Sequence, residues 1–340
     1  MELSERKKKI LQLVIDNYIE TAVPVSSKAI TEKYLTTLSS ATVRSELSML
    51  EELGYLSQPH TSAGRVPSKE AYKLYVNELM VKDKLSQKEL DYIEQIFTEK
   101  TGTMEQVFQS TAKVISELTQ YTSLAVASRD LEEVIRNVKL IRLTKTDALL
   151  VIVTDAKIFK DSIITIPEVM TDESVEEVNS LLEKLVIGKK FSEISPEDFN
   201  RLVADFADYG HIFKEVIDAL REYVNKGGDV YMEGEEKILD HPEYADVDKI
   251  RDFMSVVTKK DKIVQLLGDD GSDISINVKI GTDGYDEIPD DCSLVSATYS
   301  ANGVKIGTYG VIGPIRMDYQ KVVAVLENVG KILESIISKR

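Results

Sequence analysis

The sequence predicts an α+β fold divided among several domains, and three observations predict it. A chain of 340 residues is too long for one ordinary core, because single cores stop growing beyond ~250–300 residues. Apolar residues make up 43% of it, enough to fill more than one core. The apolar period also changes along the chain. It is helical to about residue 122, strand-like to 166 and helical again to 227, and strands and helices then continue to the end.

The first helix is predicted from about Ser4 to Ala22, where Leu11, Val14, Ile15, Tyr18 and Ile19 recur at helical spacing. Pro24 interrupts, since proline supplies no backbone donor and restricts its predecessor. Ser26 then stands where an N-cap belongs, ahead of a short helix through Ala29, Ile30 and Tyr34. After Thr36-Thr37-Leu38, Ser39 and Ser40 are both good caps for a third helix running to Leu53, with Gly54 just past its end. Within this helix Val43, Leu47 and Leu50 gather on one side and predict a core face. Ala41, Arg44, Ser45 and Ser48 point the other way, with Thr42 at the flank. A face of small hydrogen-bonding residues with one Arg suits a major groove, where bulk blocks approach and Arg binds guanine or phosphate. A merely solvated face is the other reading of this helix, although such faces usually carry more Lys and Glu.

The segment after this helix favours the groove. Tyr55-Leu56-Ser57-Gln58 reads as a short strand, Pro59 to Gly64 as a turn-rich tip, and Arg65-Val66-Pro67 as a returning strand. A β-hairpin directly after such a helix is the winged helix-turn-helix arrangement. His60, Thr61, Ser62 and Arg65 offer donors to phosphate or the minor groove. Together with Ser40, Thr42, Arg44, Ser45 and Ser48 they form the predicted DNA-binding set. Ala71, Tyr72, Tyr75, Val76 and Leu79 mark a helix leading out of the module.

Charge is consistent with this division. The net charge is −16, which on its own repels phosphate. Residues 1–80 hold ten Lys/Arg and ten Asp/Glu, so the whole excess of acid lies in the remaining 260 residues. A neutral module on an acidic body is compatible with nucleic-acid binding, and also with an ordinary soluble protein. The run Lys7-Lys8-Lys9 reads as a solvated helix start that can add phosphate contacts.

The runs PVSSKAI, LSSATVRSELSMLEELGYL and QPHTSAGRVPSKEAYKLYV resemble the N-terminal domain of the HrcA family of heat-inducible transcription repressors. CSLVSATYSANGVKIGTYGVIGPIRMDYQKVVAVLE resembles the C-terminal signature of that family. The resemblance spans both ends of the chain in the right order, whereas residues 170–230 carry no matching motif. It implies a winged helix joined to a GAF-like antiparallel-sheet domain that is interrupted by an inserted, mainly helical dimerising subdomain. It also implies a homodimer on an inverted-repeat operator in double-stranded DNA, repression of chaperone operons, and dependence on the chaperonin GroEL.

Beyond the module, residues 81–102 read as a helical connector striped by Leu85, Leu90, Ile93, Ile96 and Phe97. A helix with Val107, Val114, Ile115 and Leu118 inside comes after Gly102. Strands are predicted at 124–127, 138–143, 148–154 and 158–166, and Pro167 closes them. Three helical stripes come next: Val175 to Leu185, Phe199 to Phe206 and Phe213 to Val224. A strand at 229–232, helices through Ile250 to Leu267, strands at 274–280, 293–300 and 304–312, and a helix at 319–338 complete the chain. The predicted organisation is a winged-helix domain at 1–82, a connector at 83–102, GAF-like parts at 103–168 and 229–340, and an inserted dimerising subdomain at 169–228.

Other chemistry finds little support. Cys292 is the single cysteine, so no internal disulfide is expected, and with no export signal the expected location is the cytoplasm. A catalytic thiol needs a His partner, yet His60, His211 and His241 lie in unrelated contexts. A buried small hydrophobe is therefore the expectation for Cys292, and the chain is read as a non-enzyme. No metal-ligand spacing, cofactor motif or membrane-spanning run is evident. The acidic turns at 268–271 and 281–284 lack the terminal Glu of a calcium loop. Gly307, Gly310 and Gly313 stand in a strand-then-helix context that lacks a nucleotide fingerprint. The remaining alternatives are a regulator that senses a metabolite through its GAF-like domain, and an enzyme using Cys292.

Overall fold

The computed structural model describes residues 3–35, 38–60, 64–99, 104–127, 134–155, 159–190, 193–194, 212–216, 229–268, 276–282, 288–301 and 304–337. The chain divides into two compact units. One comprises 1–128 with 229–340, and the other comprises 129–228.

The first unit begins with the predicted module. Helix α1 (Glu5–Thr21) starts on Ser4, whose Oγ accepts from the Lys7 amide, and ends in left-handed Ala22 at φ 56°. Helix α2 (Ser27–Lys33) is capped by Ser26, and α3 (Ser40–Glu52) by Ser39. Ser40 is thus the first residue of its helix, and Ser39 satisfies the Thr42 amide at 3.1 Å. Strands β1 (Leu56–Ser57) and β2 (Val66–Pro67) form the expected antiparallel hairpin. Helix α4 (Lys69–Leu74) continues into one π-helical turn, Tyr75–Leu79. Helices α5 (Gln87–Glu99) and α6 (Met104–Thr119) come next.

Five antiparallel strands then form a sheet in the order β7-β3-β10-β9-β8. They are β3 (Thr122–Ala127), β7 (Val230–Glu233), β8 (Ile276–Ile280), β9 (Cys292–Ala301) and β10 (Val304–Pro314). Strand side chains alternate between the two faces. Ala125, Val295, Tyr309 and Val311 join the core beneath α6 and the C-terminal helix Tyr319–Ile337, and this core is continuous with that of the first module. Leu124, Leu294 and Ile312 enter a second core built from Tyr244, Phe253, Val257 and Leu267, carried in part by the short helices Val247–Val257 and Lys260–Leu266. The glycines spaced by three along β10 are there for packing. A Cβ on Gly310 would lie 2.6 Å from a Leu267 methyl carbon, and one on Gly313 would lie 2.8 Å from the Tyr121 ring.

The second unit has its own core. Strands β4 (Ile135–Arg142), β5 (Asp147–Thr154) and β6 (Phe159–Thr165) pair only with one another among the described residues. Val138, Leu140, Leu150, Ile152 and Ile164 face Val175, Val178, Leu182 and Val186 of α7 (Asp172–Val186). Asn179 on α7 is buried. It accepts from the Leu140 amide at 2.6 Å and donates to the Leu140 carbonyl at 3.0 Å, closing part of the edge of β4. Of the later predicted stripes, only residues 212–216 are described as helical. The stripe Phe199 to Phe206 lies outside the described residues.

This pairing moves the boundary of the insert. The sequence places 103–168 with the larger sheet and starts the insert at 169. In the structure the unit running from 129 to 228 includes β4, β5 and β6. Period identifies strands but does not say which strands pair. The attachment point explains how the insert is accommodated. Strands β3 and β7 are antiparallel neighbours, and the Ala127 amide donates to the Asp229 carbonyl at 2.9 Å. The insert therefore leaves and re-enters the sheet at one point, where a hairpin turn would otherwise stand.

Polar contacts fasten the first module to the sheet domain. Arg316, before the C-terminal helix, donates to the Ile19 carbonyl near the end of α1 at 3.0 Å and forms a two-pronged pair with Glu243. The Tyr75 hydroxyl donates to Asp16 at 2.5 Å, and Gln320 donates to both. Lys69 pairs with Asp290, and Lys82 with Glu327. The Arg316 side chain is only 12% exposed, so removing it strands both the Glu243 carboxylate and a helix-terminal carbonyl. Arg316→Ala is expected to cost about 1–3 kcal/mol, read as a lower urea midpoint; an unchanged midpoint would show that the clamp contributes nothing to stability.

Candidate nucleic-acid interface

Helix α3 is held by its apolar side. Val43, Leu47 and Leu50 are buried, as their spacing predicts. The opposite side divides into anchored and free groups. Ser40 Oγ lies 3.0 Å from Ser27 Oγ, tying the start of α3 to α2, and Thr42 Oγ1 lies 2.8 Å from Ser39 Oγ at the cap. Both hydroxyls are therefore engaged in holding the helix. Arg44 and Ser45 are exposed and Ser48 is half-buried. The Arg44 guanidinium makes no ion pair or hydrogen bond among the described residues, and its long side chain is free to reach outward.

The acidic residues of α3 are treated differently. Glu46 pairs with Lys7 at 3.1 Å and with Arg6 at 3.8 Å, both from the start of α1. Lys8 pairs with Glu78 at 3.1 Å. Two of the three lysines in the basic run are thus committed inside the module. Glu51 pairs with Arg65 at 2.8 Å. Glu52, at the end of the helix, is exposed.

Arg65 is the sequence-predicted residue whose setting is least like the expectation of a solvent-facing donor. Its side chain is 16% exposed, its guanidinium is turned to Glu51, and its Nε is buried. Its backbone exchanges two 2.8 Å hydrogen bonds with Val25, adding a third short segment to the wing. Gly64 permits this approach, because a Cβ there would lie 2.5 Å from the Pro24 carbonyl oxygen. Arg44, Ser48 and Glu51 recur at i, i+4 and i+7 along one stripe of α3. Arg65 thus meets the end of the stripe that begins with Arg44. His60 is exposed at the start of the wing tip. Thr61 and Ser62 lie outside the described residues.

Lys28 escapes a reading of the sequence alone. It is exposed in the first turn of α2, beside the Ser27–Ser40 contact, with Glu32 at 3.7 Å. Its position two residues after the Ser26 cap is the available signal. The Arg65–Glu51 pair has no such signal, because it depends on how the hairpin folds back.

The alternatives also acquire geometry. Cys292 is buried, lies 2.9 Å from the Tyr244 hydroxyl, and has its thiol pushed up to about 12, chiefly by burial. A thiol held protonated in this way is a poor nucleophile. Among the described residues, no three His, Cys, Asp or Glu side chains gather to hold a metal, and no helix is long and apolar enough to cross a membrane. A groove of about 830 Å³ lies between the π-turn, β8 and the C-terminal helix, walled by Val76, Met80, Val278, Tyr299, Leu326 and Lys331.

Comparison with known proteins places this geometry in context. Residues 105–323 match the family model described as the HrcA protein C-terminal domain. The chain is 38% identical over 332 residues to the heat-inducible transcription repressor HrcA of Ruminiclostridium cellulolyticum, covering 95% of this chain and 94% of that protein. It is 36% identical to the HrcA of Clostridium tetani, covering 99% and 96%, and 32% identical to that of Brevibacillus brevis, covering 99% of each. A crystal structure of a hypothetical protein shares the fold at a TM-score of 0.64 and 22% identity, covering 99% of both chains. The chain, with its winged helix and GAF-like sheet, belongs to the HrcA family of heat-inducible transcription repressors.

Proposed function

We propose that this negative regulator of heat-shock genes binds an inverted-repeat operator in double-stranded DNA as a homodimer, with α3 of each protomer in a major groove, and blocks transcription of chaperone operons by occupying the promoter. The observation that carries the reading is Arg44: an exposed guanidinium, unpartnered among the described residues, beside the small polar Ser45 and Ser48 on the outward side of α3. Ser45 and Ser48 flank it, Ser40 and Thr42 hold the helix start, and His60, with Thr61 and Ser62, belongs to the wing. Two-fold protein symmetry calls for a palindromic site with half-sites separated by whole helical turns. The resemblance to the family also supports assistance from the chaperonin GroEL in reaching the active form, and folding stabilities are small enough for such help to matter.

Two measurements test this proposal. In a gel shift on promoter DNA, Arg44→Ala is expected to lose about 1–3 kcal/mol of operator binding, and GroEL to raise the active fraction of wild-type protein. Unchanged binding by the variant would remove Arg44 from the contact with DNA, and an unchanged fraction would remove the chaperonin.

The dimer reading rests on the inserted unit. Ile141, Leu149 and Ile163 are cross-strand neighbours on the face of the β4-β5-β6 sheet opposite α7, and Ile163 is 68% exposed. An apolar row of this kind on the surface marks an association site. Ile163→Lys is expected to shift the protein from dimer to monomer in light scattering with the fold retained; a dimer of unchanged stability would place the interface elsewhere.

The groove of about 830 Å³ favours a second reading, in which a small molecule bound between the module and the sheet tunes repression. Its size falls within the range of ligand pockets. A thermal-shift screen should then find a metabolite that raises the melting temperature; a screen without stabilising compounds counts against it.

A further inference from the structure

We infer that Arg65 is a positioning residue that masks Glu51, so that the Arg44 stripe of α3 can approach phosphate, and that Arg65 does not itself contact DNA. This rests on the reading that α3 enters a groove. Glu51 lies two turns beyond Arg44 on the same stripe. A bare carboxylate there would repel a polyanion lying along the stripe, and like charges brought together at an interface cost affinity. Arg65 meets that carboxylate at 2.8 Å, its Nε is buried, and its side chain is only 16% exposed, which leaves little of the guanidinium for a phosphate. The backbone places it there independently of the side chain. The paired amides of Val25 and Arg65, and the close pass of Gly64 over Pro24, hold this strand of the wing against the turn between α1 and α2. The side chain is thus free to serve charge, while the wing is held by main chain. Glu46 is masked in the same way by Lys7 and Arg6 from α1. Helix α3 thereby shows the duplex one free cation and, at Glu51, one neutralised acid; Glu46 is turned to α1, and Glu52 remains exposed at the far end of the helix.

Masking and direct contact predict different couplings. The full chain would be titrated with operator DNA over a range of salt as wild type, Arg65→Ala, Arg65→Lys, Glu51→Gln and the double variant Arg65→Ala/Glu51→Gln, with Arg44→Ala alongside. Under masking, Arg65→Ala weakens binding about tenfold, while Arg65→Lys, Glu51→Gln and the double variant bind within about threefold of wild type. The salt slope of the double variant then equals that of wild type, because no phosphate contact has been lost.

A double variant as weak as Arg65→Ala, with its slope lower by about one, would overturn the proposal in favour of a direct phosphate contact. Full-strength binding by Arg65→Ala would overturn it as well. A loss in Arg65→Ala that Glu51→Gln does not restore, with the slope unchanged, would assign Arg65 to wing packing and also sink the masking role. If Arg44→Ala binds normally while the rescue persists, the groove reading of Arg44 fails and the masking of Glu51 stands.

Discussion

The interaction on which the rest depends is the neutralisation of α3 by bases brought from outside it. The chain carries a net charge of −16, and its candidate recognition helix contains three acidic residues and one Arg. Each carboxylate left bare on such a helix opposes its approach to a phosphate backbone. The structure covers Glu46 from α1 and Glu51 from the wing, and it leaves Arg44 unpaired among the described residues. Arg6, Lys7 and Arg65, the bases that meet the helix, are already paired within the module, which is why Arg44 is the cation proposed to contact DNA.

That arrangement requires α1, α3 and the wing to keep fixed positions, and the scaffold supplies the rigidity. The core of the module runs without interruption into the core under the sheet. Arg316, Tyr75 and Gln320 add polar contacts that seat α1 against the start of the C-terminal helix. The π-turn Tyr75–Leu79 lies at this junction, where the module hands over to the connector, and such turns are frequent at functional junctions. The insert is attached at the adjacent ends of β3 and β7, so residues 129–228 can be added without disturbing the five-stranded sheet.

Much of this is legible in the sequence because it is local. Caps at Ser26 and Ser39, the stop at Gly54 and the core face Val43-Leu47-Leu50 arise from short-range chemistry, and the structure holds each of them at its expected place. The hairpin is legible from its turn residues. The illegible part is non-local. Strands at 135–165 are recognisable as strands, but their separation from the larger sheet depends on pairing across the fold. Arg65 is recognisable as a base beside a helix, but its partner Glu51 lies on the far side of the hairpin in sequence and meets it only after the hairpin closes. The burial of Cys292 is inferable from its apolar neighbours, since burial of a small hydrophobe within a strand is also a local property.

The central claim is that an acidic molecule grips duplex DNA through two copies of one partly neutralised helix face. Hydroxyl-radical footprinting of the purified full chain on a promoter fragment tests this most directly. The account predicts two equivalent protected patches related by a dyad, separated by about one helical turn or a whole multiple of it, and fading as salt is raised. A single unsymmetrical patch, or no protection at low salt, would contradict it.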